Sequence, residues 1–155
     1  MEKTNVMRLL DGHSLPYQAY TYPCETALSG VEVAAILNQD PTQVFKTLVT
    51  VGASKKNYVF VIPVAEELSL KKAAQAVHEK SIAMIKSKEL LPLTGYIHGG
   101  CSPIGMKKLF PTVIDETVEL CETMMFSAGK IGYQVEMKPE DLKLLVPYET
   151  ADLTV

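Results

Sequence analysis

The sequence predicts an α+β fold, a single domain over residues 1–155 in which helices flank a curved, mixed β-sheet. Segments with strand character outnumber helical ones, and the two kinds do not alternate along the chain as they do in doubly wound α/β proteins. The chain is long enough to bury roughly two thirds of its unfolded surface, so a core can form without a disulfide or a metal. No internal repeat or low-complexity linker marks a second domain.

Local signals define the elements of the N-terminal third. Thr4 can cap a first helix, which the pair at 11–12, Asp-Gly, ends. Alternating aromatic positions over residues 16–22 predict a strand. Ser29 is followed three residues later by Glu32, which is the capping-box pattern, so a second helix is expected to begin there.

A β-hairpin is predicted in the middle of the chain. Residues 44–51 and 58–62 form two apolar, β-branched runs, and the polar segment 52–56 between them suits an antiparallel connection. Ser69 can then cap a third helix that reaches Val77.

The C-terminal half is predicted to form short strands and two helical segments. Apolar runs of strand length lie at 82–85, 96–97, 110–114, 123–126 and 132–137. One turn of helix is expected at 87–91, and Pro139 suits the first turn of a closing helix.

Composition and charge exclude several classes of protein. The formal net charge of −3 argues against general electrostatic binding of nucleic acid, so any RNA contact must be local. No window approaches the ~18 apolar residues of a membrane span and no signal-peptide core is present, which predicts a soluble, cytoplasmic protein. Three cysteines without C-x-x-C spacing and three scattered histidines predict free thiols in a reducing compartment and no metal site.

Lys46 is the chemical anomaly of its predicted strand. Alternation places Lys46 on the face of Val44 and Leu48, whereas Phe45 and Thr47 occupy the other face, and both faces are expected to be buried. An ammonium group without a nearby carboxylate costs several kcal/mol to desolvate. Lys46 therefore either reaches solvent at the strand end or meets an anionic ligand in a cleft.

A glycine-containing loop at 99–105 is the second candidate feature. Glycines let main-chain N–H groups approach a ligand closely and Pro103 stiffens the loop, so these donors suit a carbonyl oxygen that gains negative charge. A plain strand connection without a ligand is the alternative. The loop fails the G-x-S-x-G elbow, because Ile104 replaces the last glycine, and it fails the P-loop pattern, because Met106 replaces the lysine.

Other polar residues near these segments are also candidates. Cys101 lacks a recognisable base in the sequence, so a small buried thiol is favoured over a nucleophile. The run 127–132 contains glycines like the first loop, with Ser127 and Lys130 as potential ligand-facing donors. The lysine pair at 107–108 is interpreted either as ordinary surface or as a phosphate contact.

Three ordered segments together resemble a known family. They are F-K-T-L-V at 45–49, G-Y-I-H-G-G-C-S-P-I-G-M-K-K at 95–108 and S-A-G-K-I-G at 127–132. In this order they are similar to the YbaK/EbsC family of aminoacyl-tRNA deacylases, which is related to the editing domain inserted in bacterial prolyl-tRNA synthetases. The resemblance runs over nearly the whole chain, including Glu25-Thr26-Ala27 and the run 68–74.

The resemblance implies a free-standing, mixed-sheet α+β protein that removes cysteine from misacylated tRNA(Pro) in trans. Lys46 corresponds to the family lysine, and residues 99–103 correspond to its G-x-x-x-P loop. The motifs are closer to the Cys-tRNA(Pro) branch than to alanine-specific relatives. The sequence departs from the family at Gln134, where some members carry Asp, at Ala128, where glycine is commoner, and at 27–30, where some members have an aromatic residue.

These features lead to a hypothesis of hydrolytic deacylation of Cys-tRNA(Pro) without a cofactor or a metal. Lys46 would orient the terminal adenosine or the ester, the amides of 99–103 would hold the scissile carbonyl, and the family mechanism uses the substrate thiol as nucleophile. Prolyl-tRNA synthetase is the expected partner. The alternatives are a non-catalytic module that binds an aminoacyl-tRNA end or a synthetase, and a deacylase for another amino acid such as alanine. The candidate catalytic residues are Lys46, Gly99, Gly100, Cys101, Ser102 and Pro103, and the candidate substrate-binding residues are Phe45, Thr47, Ser29, Ser127, Gly129, Lys130, Gln134, Lys107 and Lys108.

Overall fold

A computed structural model describes residues 2–24 and 27–155, so Glu25 and Thr26 lie outside the described residues. The helices are α1 (Asn5–Gly12), α2 (Gly30–Ile36), α3 (Leu70–Val77), α4 (Ser87–Thr94) and α5 (Pro139–Leu145). The strands are β1 (Gln18–Thr21), β2 (Phe45–Gly52), β3 (Asn57–Pro63), β4 (Ile82–Met84), β5 (Thr112–Asp115), β6 (Met124–Ser127), β7 (Tyr133–Met137) and β8 (Tyr148–Ala151). Single 3₁₀ turns occur at Pro41–Gln43 and Glu116–Leu120. The predicted α+β class is confirmed.

The strands form two sheets. One is a mixed sheet in the order β4-β2-β3-β5-β8, in which β2 is antiparallel to β3 and β4, whereas β5 is parallel to β3 and β8. The other is antiparallel in the order β1-β7-β6. A parallel bridge between Val44 and Met125 connects them at the start of β2. The expected curved sheet is therefore divided at one edge of β2, and this division creates the candidate site.

The predicted helix caps are confirmed by hydrogen bonds. Thr4 Oγ1 accepts a hydrogen bond from the amide of Met7 at 3.3 Å. Ser29 Oγ accepts one from the amide of Glu32 at 3.2 Å, and the Ser29 amide donates to the Glu32 carboxylate at 3.0 Å, which completes a capping box. Ser69 Oγ accepts from the amide of Lys72 at 3.2 Å. These caps fix where α1, α2 and α3 begin.

The core lies on both faces of the predicted hairpin of β2 and β3. Val59 and Val61 pack into a large cluster with residues of the small sheet, among them Phe126. Phe60 and Ile62, which alternate with them, pack under α3. A central strand that is buried on both faces is expected to be uniformly apolar, as residues 59–62 of β3 are.

The strand predicted at 96–97 is wrong, and the helical turn predicted at 87–91 is too short. The helix α4 continues to Thr94 and ends at Gly95, whose φ of 86° is the left-handed conformation of a glycine C-cap. The amide of Tyr96 then donates to Thr94 Oγ1 at 3.0 Å, and its hydroxyl donates to the carbonyl of Ile104. Tyr96 is therefore held by side-chain bonds in a loop, so its aromatic character does not reflect a strand.

The strand β8 was missed because its sequence gives little signal. It pairs in parallel with β5 over Tyr148–Ala151, but only Tyr148 in it is buried. Nearby, Asp115 is 1% exposed and accepts a hydrogen bond from the amide of Leu153 at 2.9 Å. The C-terminal segment is therefore held by pairing and by one buried carboxylate. None of the helices in residues 2–24 and 27–155 is long and apolar enough to cross a membrane.

Candidate active site

A cleft of about 500 Å³ lies beside the N-terminal half of β2. Its walls are the start of α2, the end of β4 with the start of α4, the glycine loop and the adjoining ends of β6 and β7. The described residues that line it are Tyr22, Leu28, Ser29, Gly30, Val33, Val44, Phe45, Lys46, Thr47, Leu48, Val49, Val64, Met84, Ile85, Lys86, Ser87, Leu90, His98, Gly99, Cys101, Ser127 and Gln134. This volume is within the range of small-molecule sites.

One edge of β2 is open toward this cleft. The carbonyl of Val44 accepts a hydrogen bond from the amide of Val64 at 2.8 Å and so points toward β3. The carbonyl of Val49 accepts one from the amide of Ile85 at 3.4 Å and so points to the opposite side, toward β4. Because peptide groups alternate in direction along a strand, those of Thr47 also point away from β3. On that side β4 pairs only with residues 50–52, so the peptide groups of Thr47 face the cleft.

The side chain of Lys46 lies on the same face as those of two polar residues in the three-stranded sheet β1-β7-β6. The bridge between Val44 and Met125 aligns the two strands, so residues two positions further on, Lys46 and Ser127, also share a face. Ser127 is the cross-strand partner of Gln134, which therefore faces the same way. The alternating pattern predicted from sequence thus places three cleft-lining side chains together.

The expectation that both faces of β2 are buried is wrong at the cleft. Lys46, Thr47 and Leu48 are only partly buried, whereas Phe45 is 2% exposed. Among residues 2–24 and 27–155, no carboxylate lies within ion-pair distance of Lys46, and no Asp or Glu lines the cleft. The ammonium group of Lys46 is thus available to a ligand in a cleft that also receives Lys86 and His98.

The glycine loop contributes two residues to the cleft lining, Gly99 and Cys101. Gly99 has a φ of 88°, and a Cβ atom at this position would lie 2.7 Å from the Cβ of Ala27, so both conformation and space require glycine. The amide of Gly100 donates to the carbonyl of Ile97 at 3.0 Å and closes a turn. The expected row of ligand-facing amides is therefore interrupted at Gly100.

Ser102 and Pro103 are not brought to the cleft. Ser102 is fully buried, and its Oγ accepts a hydrogen bond from the amide of Ile104 at 3.3 Å, so it stabilises the loop from within. Pro103 lines a separate cavity of about 250 Å³, together with Lys108. Lys108 lies over the ring of Phe110 at 5.9 Å, and Lys107 is likewise outside the cleft lining.

Cys101 lines the cleft but is poorly suited to act as a nucleophile. It packs against the main core, and burial raises the pKa of its thiol to about 12. A thiol with that pKa holds almost no thiolate at neutral pH, and the thiolate is the reactive form. The buried-thiol interpretation of the sequence therefore agrees with the surroundings of Cys101.

Of the run at 127–132, only Ser127 lines the cleft. Its Oγ accepts a hydrogen bond from the amide of Gly129 at 3.1 Å, while Gly129 has a φ of 91° and packs against Tyr96. Lys130 donates to the Glu2 carboxylate at 2.9 Å, and this partner raises the pKa of Lys130. Lys130 and Gly129 are therefore placed outside the cleft, where they support the turn.

Several residues of the cleft were missed by sequence reasoning. Ser29 was included, although its hydroxyl and amide already serve the capping box. Tyr22, Lys86, Ser87 and His98 were not included. The position of His98 directly before Gly99 was a usable signal, whereas Lys86 and Ser87 reach the cleft only because α4 begins beside β2.

Two buried polar atoms in the described part of the chain have no hydrogen-bond partner, Thr47 Oγ1 and Gln134 Oε1. Both residues line the cleft. Leaving a buried polar atom unpaired costs about 1–3 kcal/mol, and such costs concentrate where a ligand satisfies them. Within the same residues, no group of three or more His, Cys, Asp or Glu side chains could hold a metal ion.

Among the described residues, the cleft combines the ammonium group of Lys46, which has no carboxylate partner, with two unpaired polar atoms, an arrangement suited to a polar ligand. The chain belongs to the aminoacyl-tRNA editing domain family, whose sequence pattern it matches over residues 24–145. The family resemblance inferred from the three motifs is therefore confirmed.

A protein of Enterococcus faecalis, named "Putative Cys-tRNA(Pro)/Cys-tRNA(Cys) deacylase EbsC", is 44% identical over 154 residues. The alignment covers 99% of this chain and 94% of the relative.

Two solved structures share the fold at lower identity. The first, described as "Crystal structure of a putative trans-editing enzyme for prolyl tRNA synthetase", has a TM-score of 0.83 and 23% identity, and covers 100% of this chain and 99% of its own. The second, "hypothetical protein APE2540", has a TM-score of 0.87 and 20% identity, with 98% and 100% covered.

Proposed function

We propose that the protein is an aminoacyl-tRNA deacylase of one domain that hydrolyses misacylated tRNA in trans, with Cys-tRNA(Pro) as its leading substrate. Membership in the editing domain family supports the reaction class. The name of the Enterococcus faecalis relative supports a cysteinyl substrate. The observation that carries the proposal is the ammonium group of Lys46 in a cleft that has no carboxylate among its described lining residues.

The substrate would enter with its ester next to the open edge of β2. The ammonium group of Lys46 donates hydrogen bonds and accepts none, so it would bind an oxygen of the ester or of the terminal nucleotide. Gly99 and Cys101 of the glycine loop also line the cleft. The apolar residues Val33, Val64 and Leu90 would surround the small side chain.

None of the serines and cysteines among the described lining residues is paired with a base. Burial raises the pKa of Cys101, and within the described ranges no hydrogen bond links Ser29, Ser87 or Ser127 to a basic side chain; Ser29 Oγ and Ser127 Oγ each accept from a backbone amide. A substrate that brings its own thiol needs mainly positioning from the protein. This agrees with a mechanism in which the cysteinyl thiol attacks its own ester.

Purified protein assayed against a panel of charged tRNAs tests this proposal. We expect rapid loss of cysteine from Cys-tRNA(Pro), and slower loss of alanine from Ala-tRNA(Pro), because alanine has no side-chain nucleophile. The measurement is the release of radiolabelled amino acid from tRNA. Equal release from both substrates would contradict a cysteine-directed deacylase, and no release from either, with saturable binding, would indicate a non-catalytic binding module.

We further propose that prolyl-tRNA synthetase delivers the tRNA to this protein in the cytoplasm. The net charge of −3 disfavours tight tRNA binding by charge alone, and among the described residues that line the cleft only Lys46, Lys86 and His98 have basic side chains. We expect the isolated protein to bind tRNA(Pro) with a dissociation constant above about 1 μM, and we expect this constant to rise with added salt. Fluorescence anisotropy should show tighter binding when the synthetase is added. Nanomolar binding at physiological salt, unchanged by the synthetase, would contradict the partnership.

A further inference from the structure

Gln134 has an unpaired amide oxygen in the cleft, and the role assigned to it rests on the proposed function. Gln134 is 6% exposed and lines the cleft, and its Oε1 atom has no hydrogen-bond partner among the described residues. From the sequence, Gln134 is a candidate substrate-binding residue and a departure from the Asp of some relatives, with no contact assigned to it. Because amide oxygens accept hydrogen bonds and cannot donate them, a ligand that satisfies this atom must bring an N–H or O–H group.

The unpaired end of the Gln134 amide is its oxygen, since Oε1 is buried without a partner whereas the NH₂ group is not among the unpaired buried atoms of the described residues. Tyr22 lines the same cleft. Rotation about the last side-chain bond, which has a broad energy minimum, can turn this oxygen toward a ligand in the cleft.

The position of Gln134 relative to Lys46 narrows the choice of donor. Both side chains project from one face of the joined sheets, with Ser127 between them as the partner of Gln134. If Lys46 holds an oxygen of the ester group, the α-amino group of the aminoacyl moiety is the nearest N–H donor, because it is attached to the carbon next to the ester carbonyl. Among the described residues that line the cleft there is no Asp or Glu, so the amide oxygen of Gln134 is an acceptor available to that amino group.

We propose that Gln134 Oε1 accepts a hydrogen bond from the α-amino group of the substrate, and that this contact selects esters of free amino acids. An ester without an amino group would leave the buried oxygen unpaired. An ester with an acylated nitrogen, as in peptidyl-tRNA, would have to place its acyl group beside Gln134 in the cleft. The protein would therefore spare peptidyl-tRNA while it clears aminoacyl-tRNA.

Binding of non-hydrolysable, amide-linked analogues of the cysteinyl-adenosine end tests this contact. Isothermal titration would compare the cysteinyl analogue with a mercaptopropionyl analogue, which keeps the thiol and lacks the amino group. We expect the protein to bind the cysteinyl analogue about 10-fold more tightly, as one buried hydrogen bond provides. In Gln134→Met this preference should disappear through loss of affinity for the cysteinyl analogue alone, while Gln134→Glu should retain it.

The matched control is Gln75→Met, an exposed position on α3 that should behave like the unmodified protein. An equal loss of affinity for both analogues in Gln134→Met would overturn the proposal, because a purely structural role weakens both. The ribose hydroxyl next to the linkage is the competing hydrogen-bond donor to Gln134, and a third analogue that lacks this hydroxyl distinguishes it from the amino group. If Gln134→Met removed the preference for that hydroxyl instead, the contact would be to ribose and the proposal would be wrong. Because binding is measured without hydrolysis, these outcomes are independent of whether the deacylation assay succeeds.

Discussion

Lys46→Ala is expected to reduce deacylation of Cys-tRNA(Pro) by about 100-fold or more, because it removes the cationic donor that, in the proposed function, binds an oxygen of the ester or of the terminal nucleotide. Lys46 has no carboxylate partner among the described residues, so its removal leaves no buried charge unpaired and should cost little folding stability. Single-turnover rates at saturating protein, together with the thermal unfolding midpoint, measure the two effects separately. Lys46→Arg should restore only part of the rate, since a guanidinium is larger and presents its donors in a fixed plane.

The matched control for Lys46 is Lys71→Ala on the exposed face of α3. Lys55, in the hairpin turn, is a poorer control, because its φ of 74° means that a substitution there also changes backbone strain. We expect the rate of Lys71→Ala to stay within about twofold of the original, as exposed surface substitutions have small effects. If Lys46→Ala and Lys71→Ala were equally active, Lys46 would have no role in the reaction.

The fold could be predicted where local patterns and tertiary packing agree. The capping box at Ser29 and the apolar hairpin of β2 and β3 are specified by residues close together in sequence, and both are confirmed. The errors occur where a distant partner decides the structure. Tyr96 has strand character but is held in a loop by Ile104, and β8 exists because β5 offers it an edge.

In the candidate site, too, some features are visible in the local sequence and others depend on residues that are distant in the chain. Lys46 was identified because a lone charge in an apolar strand is visible in the sequence, and it does reach the cleft. The row of amides at 99–103 was expected as a unit, but a turn uses the Gly100 amide and packing buries Ser102. The wall formed by Lys86 and Ser87 depends on how β4 pairs with β2, which no local pattern specifies.

Cys-tRNA(Pro) is expected to be deacylated at least about 100-fold faster than Ser-tRNA(Pro), although the two esters differ only in sulfur and oxygen. A free thiol with a pKa of about 8.5 holds a few per cent thiolate at neutral pH, whereas a serine hydroxyl holds essentially none without a base. In the proposed step the substrate thiolate attacks its own carbonyl carbon, the carbon–oxygen bond breaks, and the 3′-oxygen of the tRNA leaves and takes up a proton. Water then opens the cyclic thiolactone to give free cysteine. Because the thiol and the carbonyl belong to one cysteinyl group, the first step is intramolecular, and the cleft has only to hold the two groups in a reactive orientation.

The same mechanism predicts that Cys101→Ser stays active and that no acyl-enzyme accumulates. The pKa of about 12 at Cys101 leaves its thiol protonated in the pH range of the assay, so its removal should change the rate by less than about threefold. Rapid-quench mass spectrometry of the protein during turnover, alongside the rates for Cys-tRNA(Pro) and Ser-tRNA(Pro), checks both expectations. An acyl adduct on Cys101 or Ser102, or equal rates for the two esters, would show that the protein supplies the nucleophile.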